Sequence, residues 1–419
     1  VTGAIVTNSL APPKCRFCNA ELRTNFVDLG MSPLCQTHIE PHELNHMERF
    51  YPLHAWVCEQ CWLVQLEQYV SSESIFSDYA YFSSYSDSWV EHARRYADSM
   101  IERFHFGKKS LVMEIASNDG YLLQHFVARG VPCRGIEPAA NVAEVAVAKG
   151  IPTTVKFFGQ KSAAEIAAEH GKPHLLLGNN VLAHVPDIND FVGGMKTLLA
   201  QGGVITMEFP HLLRLMDENQ FDTIYHEHFS YLSFGTVQTI FAHHGLRLFD
   251  VDEIPTHGGS LRIYGCHADD PRPDTPAVAK LLESERHFGL TRAATYGTFE
   301  ARVMATKRKL LTFLIEAKNA GKQIVGYGAP GKGNTLLNYC GIRTDFLDYT
   351  VDRSPHKYGR YTPGTHIPIL QPEKIRETRP DYILILPWNL KKEIASQHSY
   401  VREWGGRFVV PIPHVQIVD

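Results

Sequence analysis

The sequence predicts an α/β protein in three parts: a cysteine-bearing N-terminal module, a middle domain built on a parallel sheet, and a second domain of that kind at the C-terminus. Two observations carry this. Two Cys-x-x-Cys pairs fall within the first 75 residues. Strand and helix signals alternate from about residue 76 to 270 and again from about 300 to 419, the pattern of βαβ units. The expected boundaries are 1–75, 76–272 and 273–419. The last break lies at the run Asp-Asp-Pro-Arg-Pro-Asp-Thr-Pro (269–276), whose prolines and aspartates suit a turn or linker.

Composition is that of an ordinary globular protein. The 419 residues are 44% hydrophobic and 21% charged, enough for more than one core. A formal net charge of −4 gives no basic surplus to attract nucleic acid or an anionic membrane. No apolar run reaches the roughly 18 residues that span a bilayer, and the segment Val1–Pro13 lacks the pattern of a secretion signal. These features predict a cytoplasmic protein without nucleic-acid or membrane partners, and leave the oligomeric state open, a monomer included.

In the N-terminal module, Cys15-x-x-Cys18 and Cys58-x-x-Cys61 are two knuckles about forty residues apart. Each can grip one metal ion from a tight turn, and together they complete the tetrahedron that structural zinc prefers. Redox dithiols are the other reading, but the duplication and a cytoplasmic setting speak against it. Four thiolates leave no open coordination position, so the zinc is expected to be structural, replacing a core that so small a module can hardly build.

The middle domain begins with a strand at Ser110–Ile115, followed by a helix near Tyr121–Arg129, a strand at Cys133–Ile136, a helix through Ala139–Lys149, and further strands at His174–Leu177 and Gly203–Glu208. Such alternation predicts a parallel sheet covered on both faces, with its ligand beyond the carboxyl ends of the strands. The first turn, Glu114-Ile115-Ala116-Ser117-Asn118-Asp119-Gly120, is a weakened glycine-rich loop. Glu137, in Gly135-Ile136-Glu137-Pro138, ends the second strand, where a carboxylate can accept both ribose hydroxyls of an adenosine. A nicotinamide dinucleotide and S-adenosylmethionine (SAM) both fit this pair. A diphosphate asks for glycines at the helix N-terminus, and Asp119 there repels it. The same aspartate suits the sulfonium and amino groups of SAM, which decides for SAM.

Residues 15–61, 114–138, 178–186, 221–229 and 324–368 together resemble the zinc-containing SAM-dependent sugar C-methyltransferases. That family acts on nucleotide-linked 4-keto-6-deoxy sugars in antibiotic and surface-polysaccharide pathways. The resemblance implies a zinc-binding N-terminal domain, a SAM-binding Rossmann-like middle domain and a second Rossmann-like domain. It implies that Phe157 and Phe158 lie near the adenine, although core packing also suits them. It implies that Asn179 and Asn180 lie beside the methionine moiety, and that C-3 is the methylated carbon. Methylation at carbon needs a proton removed next to a ketone and donors aimed at the resulting enolate oxygen. Tyr225, Glu227 and His228 match the family's Tyr-x-Glu-His motif, with His228 as base or sugar-positioning group. His184 and Tyr79 also match, as partners of the C-4 oxygen or the sugar hydroxyls. His226 departs from the family's aspartate and is left out of this set. A metal-binding His226-x-His228 on a strand is the weaker alternative.

In the C-terminal domain the run Ile324-Val-Gly326-Tyr-Gly328-Ala-Pro-Gly331-Lys332-Gly333-Asn334 joins a strand to a helix. Here glycines and a lysine make a better cradle for a diphosphate than the first loop does. Asp352, Ser354 and Lys357 follow the next strand, and Arg360 and His366 lie in a family-like run ending at Pro368. With Gly328, Lys332 and Asn334 they are the expected binding residues for the nucleotide of a nucleotide-sugar substrate; a repeat that only builds an interface is the alternative. Trp388 suits base stacking and packing equally. Two further function classes compete: methylation of oxygen or nitrogen on a small metabolite, and a zinc protein that binds a nucleotide sugar without turnover.

Overall fold

The computed structural model describes residues 12–71, 82–85 and 87–418. Tyr79 lies outside them. Among the described residues the strands form three sheets.

The N-terminal sheet is antiparallel, in the order Thr24–Ser32, Tyr51–Val57, Val64–Leu66 and Ser230–Tyr231. Tyr51–Val57 buries Leu53, Ala55 and Val57, the period-two pattern of a strand with one face in the core. The fourth strand comes from the middle of the chain: Val64 pairs with Tyr231 and Gln65 with Ser230. The short segment that ends in His228 is thereby pinned to the N-terminal module.

The middle sheet runs in the order Leu246–Ile254, Ser260–His267, Val204–Pro210, Leu175–Asn179, Val112–Ile115, Cys133–Ile136 and Thr153–Thr154. The last five are parallel. Ser260–His267 instead runs antiparallel to both neighbours, a departure from the wholly parallel expectation. The link from Ile254 to Ser260 is a tight hairpin, far too short for a parallel crossover. Every residue of Ser260–His267 is buried, because the strand lies inside the sheet.

The third sheet runs Ile369–Leu370, Thr350–Val351, Ile324–Tyr327, Tyr382–Ile385, Arg407–Val410 and Gln416–Val418, parallel except for the last strand. In both large sheets the first strand has its successor on one side and a later strand on the other. That reversal opens a crevice at the strands' carboxyl ends.

Between the middle and C-terminal sheets lie three helices, Pro276–Phe288, Ala293–Gly297 and Phe299–Asn319. Gly289 ends the first in a left-handed conformation (φ 98°), which glycine adopts without a Cβ penalty. The third buries Phe299, Val303, Thr306, Leu310, Leu314 and Ala317, a stripe at three- and four-residue spacing. Phe299 stacks on Phe26 of the N-terminal sheet with centroids 4.5 Å apart. One apolar core runs from that sheet through this helix to the C-terminal sheet, while the cysteine knuckles share the core of the middle sheet. Among the described residues no helix is long and apolar enough to cross a membrane.

Candidate active site

The two knuckles have the same local geometry. Asn19 N donates to the Cys15 carbonyl at 2.9 Å and Trp62 N to the Cys58 carbonyl at 2.8 Å. Asn19 (φ 63°) and Trp62 (φ 62°) both turn left-handed just after the second cysteine. The four Sγ atoms lie within 4.8 Å of one another, with Cys15–Cys61 and Cys18–Cys58 each at 3.5 Å. A tetrahedron of ~2.3 Å Zn–S bonds has edges of about 3.8 Å, so the donor set fits zinc. Gln65 Nε2 donates to Cys15 Sγ at 3.2 Å, an outer contact of the sort that orients metal ligands.

At the carboxyl end of Val112–Ile115 the chain turns through Ala116 (φ 56°), Asn118 (φ 50°) and Gly120 (φ 76°). Gly120 suits that left-handed conformation, and a Cβ there would push on Ile151 Cδ1, 2.4 Å away. Glu137 accepts from Asn118 N and Ala139 N, each at 2.9 Å. Asp119 is buried and paired with Lys149 at 3.3 Å, a partner that sequence reasoning did not supply. The pocket is nonetheless rich in carboxyl groups, with Glu114, Glu137 and Glu208 buried around the same turn. Burial, then the charges of Glu137, Asp119 and Glu208, push the Glu114 carboxyl well above the usual range. At the end of the neighbouring strand, both side-chain polar atoms of Asn179 are buried without a protein partner. A carboxyl-rich pocket with an unsatisfied amide fits the cationic methionine end of SAM better than a diphosphate.

Beyond this pocket, imidazoles gather. The His184 and His228 rings are 4.6 Å apart, and Tyr225 lies 4.0 Å from His228. His228 Nδ1 is 2.9 Å from the Thr223 carbonyl oxygen. A carbonyl only accepts, so Nδ1 carries the proton and the basic lone pair is on Nε2. Burial, then the nearby His184 and His257, hold His228 far below its ordinary value, and burial pushes His184 down to about 4. Both rings are therefore neutral near pH 7. Burial raises the Glu227 carboxyl to about 7, with Cys35 Sγ 3.5 Å away opposing the shift. His226 turns elsewhere: its Nε2 meets the Pro52 carbonyl at 3.2 Å and its ring packs on Tyr51. The segment is not a strand here, and the two imidazoles share no metal geometry.

The C-terminal loop reaches the same region. Trp388 Nε1 donates to Asp222 Oδ2 at 2.7 Å, and Lys332 Nζ lies 4.6 Å over the Trp388 ring while donating to Asn389 Oδ1 at 3.0 Å. Asn334 Nδ2 donates to the Cys35 carbonyl at 2.6 Å and Thr335 Oγ1 to the Ile224 carbonyl at 2.9 Å. Asp352 accepts from Ala329 N (2.8 Å), Ser354 N (2.9 Å) and Lys357 Nζ (3.1 Å). Arg360 pairs with Glu40 and His366 with Glu48, so both are engaged by the N-terminal module.

Three family models divide the chain between them: a zinc binding domain at residues 15–76, a methyltransferase domain at 89–251 and a C-methyltransferase C-terminal domain at 255–413. The C-methyltransferase NovU of Streptomyces niveus is 36% identical over 409 residues, covering 97% of each chain. The chain belongs to the C-methyltransferase family. This C-methyltransferase uses SAM as methyl donor and holds zinc in its four-cysteine cluster. Among solved structures, a SAM-dependent methyltransferase from Anabaena variabilis aligns over 43% of this chain and 86% of its own, with 14% identity and a TM-score of 0.36. The magnesium protoporphyrin IX methyltransferase of Synechocystis aligns over 43% and 82%, with 14% identity and a TM-score of 0.33.

Several expected residues of this C-methyltransferase converge: His184, Tyr225, Glu227, His228 and Lys332 share one buried neighbourhood. The two phenylalanines part company. Phe158 packs edge-on against Phe191, whereas Phe157 stays 39% exposed. Sequence reasoning missed Cys35, Asp222 and His257. No local pattern marks the first two. His257 was marked only by the two glycines after it.

Proposed function

We propose that this C-methyltransferase methylates a nucleotide-linked 4-keto-6-deoxy sugar, at the C-3 position. The observation that carries the reading is His228: a buried neutral imidazole whose Nδ1–H is committed to the Thr223 carbonyl. Its Nε2 is thereby fixed as a proton acceptor. In the proposed reaction Nε2 takes the proton from the carbon beside the ketone, and the bonding pair moves onto the ketone oxygen as an enolate. SAM supplies a methyl on a sulfonium, an electrophile matched to that carbon. Tyr225, His184 and Tyr79 are the proposed partners of the sugar oxygens, and Glu227 the group that trades a proton beside them.

The nucleotide is assigned to the C-terminal loop at Gly328, Lys332 and Asn334, with Asp352, Ser354, Lys357, Arg360 and His366 around it. Support comes from the two lysines there against the carboxyl-rich first pocket. Labour is then divided as 1–75 for zinc, 76–272 for SAM and 273–419 for the nucleotide. SAM and nucleotide sugars are cytoplasmic metabolites, which places the proposed work there.

The test is incubation with methyl-labelled SAM and a panel of dTDP-, GDP- and CDP-linked 4-keto sugars. Label at the carbon that exchanges deuterium supports the reading. Label on oxygen or nitrogen, or none with any acceptor, overturns it.

A further inference from the structure

His257 occupies a place that costs the chain conformational energy. It lies in the hairpin loop between Leu246–Ile254 and Ser260–His267 with φ 55° and ψ 17°, followed by Gly258 (φ 93°) and Gly259 (φ 112°). A non-glycine residue held left-handed is disfavoured because its Cβ crowds the backbone, and such strain persists only where the surroundings over-determine it. They do so here. Gln220 Nε2 donates to the Gly258 carbonyl at 2.7 Å, Ser260 Oγ to the Thr256 carbonyl at 2.9 Å, and His211 N to the Gly259 carbonyl at 3.1 Å. A Cβ on Gly258 would meet Trp388 at 2.7 Å.

The ring so aimed meets a second strained residue. His257 Nε2 is 3.1 Å from Asn180 Nδ2, and Asn180 is itself left-handed at φ 55°. An amide N–H only donates, so Nε2 accepts and the proton lies on Nδ1. Asn180 follows the strand Leu175–Asn179 and its N–H is tied to the Glu208 carbonyl at 2.8 Å. The Trp89 ring, 5.3 Å away, covers the imidazole edge-on.

We propose that His257 is a positioning residue: it holds the Asn180 amide in place at the methionine end of the SAM pocket, and so ties cofactor binding to the loop braced by Gln220 and Trp388. This rests on the assignment of Asn180 to that pocket.

Calorimetry with S-adenosylhomocysteine on the full zinc-loaded protein tests it. His257→Phe is expected to weaken binding about tenfold, and His257→Gln, whose amide oxygen can accept from Asn180, to recover most of that loss. The His257 ring is also faced by Lys332, Glu208, His92 and His184; in that fixed surrounding Asn180→Asp is expected to make affinity pH-dependent between pH 5 and 8, through a carboxylate–imidazolium pair, and His257→Gln in that background to flatten the profile. A merely structural loop would produce neither the rescue nor the profile. Asn180→Ala separates the two premises. If it binds normally, the assignment of Asn180 fails. If it binds weakly while His257→Phe, folded by circular dichroism, binds like wild type, the role of His257 is overturned. Should His257→Phe not fold, a flat profile for Asn180→Asp overturns it instead.

Discussion

Glu137 and Asp352 make the same pair of backbone contacts in the two Rossmann-like halves. Each follows the second strand of its sheet, accepts one N–H from the preceding turn (Asn118 or Ala329), and accepts another two residues further on (Ala139 or Ser354). The difference is charge. Burial raises the Glu137 carboxyl, with the two N–H groups opposing the shift. Burial acts on Asp352 too, but Lys357 and the same two kinds of N–H hold it below the usual carboxylate range. One half thus has a buried carboxyl with no cation beside it among the described residues and the other a carboxylate paired with a lysine, which is the basis for assigning them different ligands.

The first expected outcome concerns that asymmetry. Glu137→Ala removes the proposed ribose acceptor and leaves two buried N–H groups without that partner, at about 1–3 kcal/mol each. S-adenosylhomocysteine affinity is expected to fall about a hundredfold by calorimetry. Asp352→Asn is expected to leave that affinity within twofold. Equal losses in the two variants would refute the division of ligands.

His228→Asn keeps a donor that can reach the Thr223 carbonyl but lacks the basic Nε2. SAM affinity and thermal midpoint are expected to stay near wild type, with turnover down more than a hundredfold, within the range for loss of a general base. Near-normal rates would remove His228 as the base.

How far the sequence could lead is clear from these same residues. Cys15, Cys18, Cys58 and Cys61, the turn at Glu114–Gly120 and the acids at 137 and 352 are legible because each motif is local: a knuckle, or a strand, a turn and the next strand end. The strand at Ser230–Tyr231 was not, since its partner Val64–Leu66 lies far away in the chain and only tertiary pairing brings them together. Cys35 and His257 reach the His228 segment from distant parts of the chain for the same reason, and Asp222, within that segment, meets Trp388 and Lys332 of the C-terminal domain only through tertiary packing. Asp119 shows the opposite risk: the turn that holds it is local, but its ion-pair partner Lys149 lies thirty residues on.

Zinc is expected to matter for catalysis although it is structural. The strand Ser230–Tyr231 pairs with Val64–Leu66, which begins three residues after Cys61. Releasing the metal frees the second knuckle and loosens that pairing, two residues from His228. Chelation, or Cys61→Ser, is expected to cut turnover at least tenfold and to speed hydrogen exchange across 226–232, while S-adenosylhomocysteine affinity changes less than threefold. Retained activity in a metal-free protein would show that this sheet holds without zinc.

Glu227 gives stability a definite pH dependence. Its carboxyl goes from an ordinary value of 4.5 to about 7 in the folded protein, chiefly through burial. The folded state therefore binds this proton more tightly than the unfolded chain does. That contribution is fully present below about pH 4.5, shrinks above it, and is lost as pH rises through 7. At pH 8.5 the wild type holds a buried carboxylate with the Cys35 thiol 3.5 Å away. Glu227→Gln carries no such charge. It is expected to melt at the same temperature as wild type at pH 4.5 and several degrees higher at pH 8.5, a difference on the order of 3 kcal/mol. Because the side chain lies in the proposed catalytic cluster, turnover of Glu227→Gln should fall even where its stability rises. A melting difference that does not change between the two pH values would mean that Glu227 titrates normally and that its burial is relieved by water.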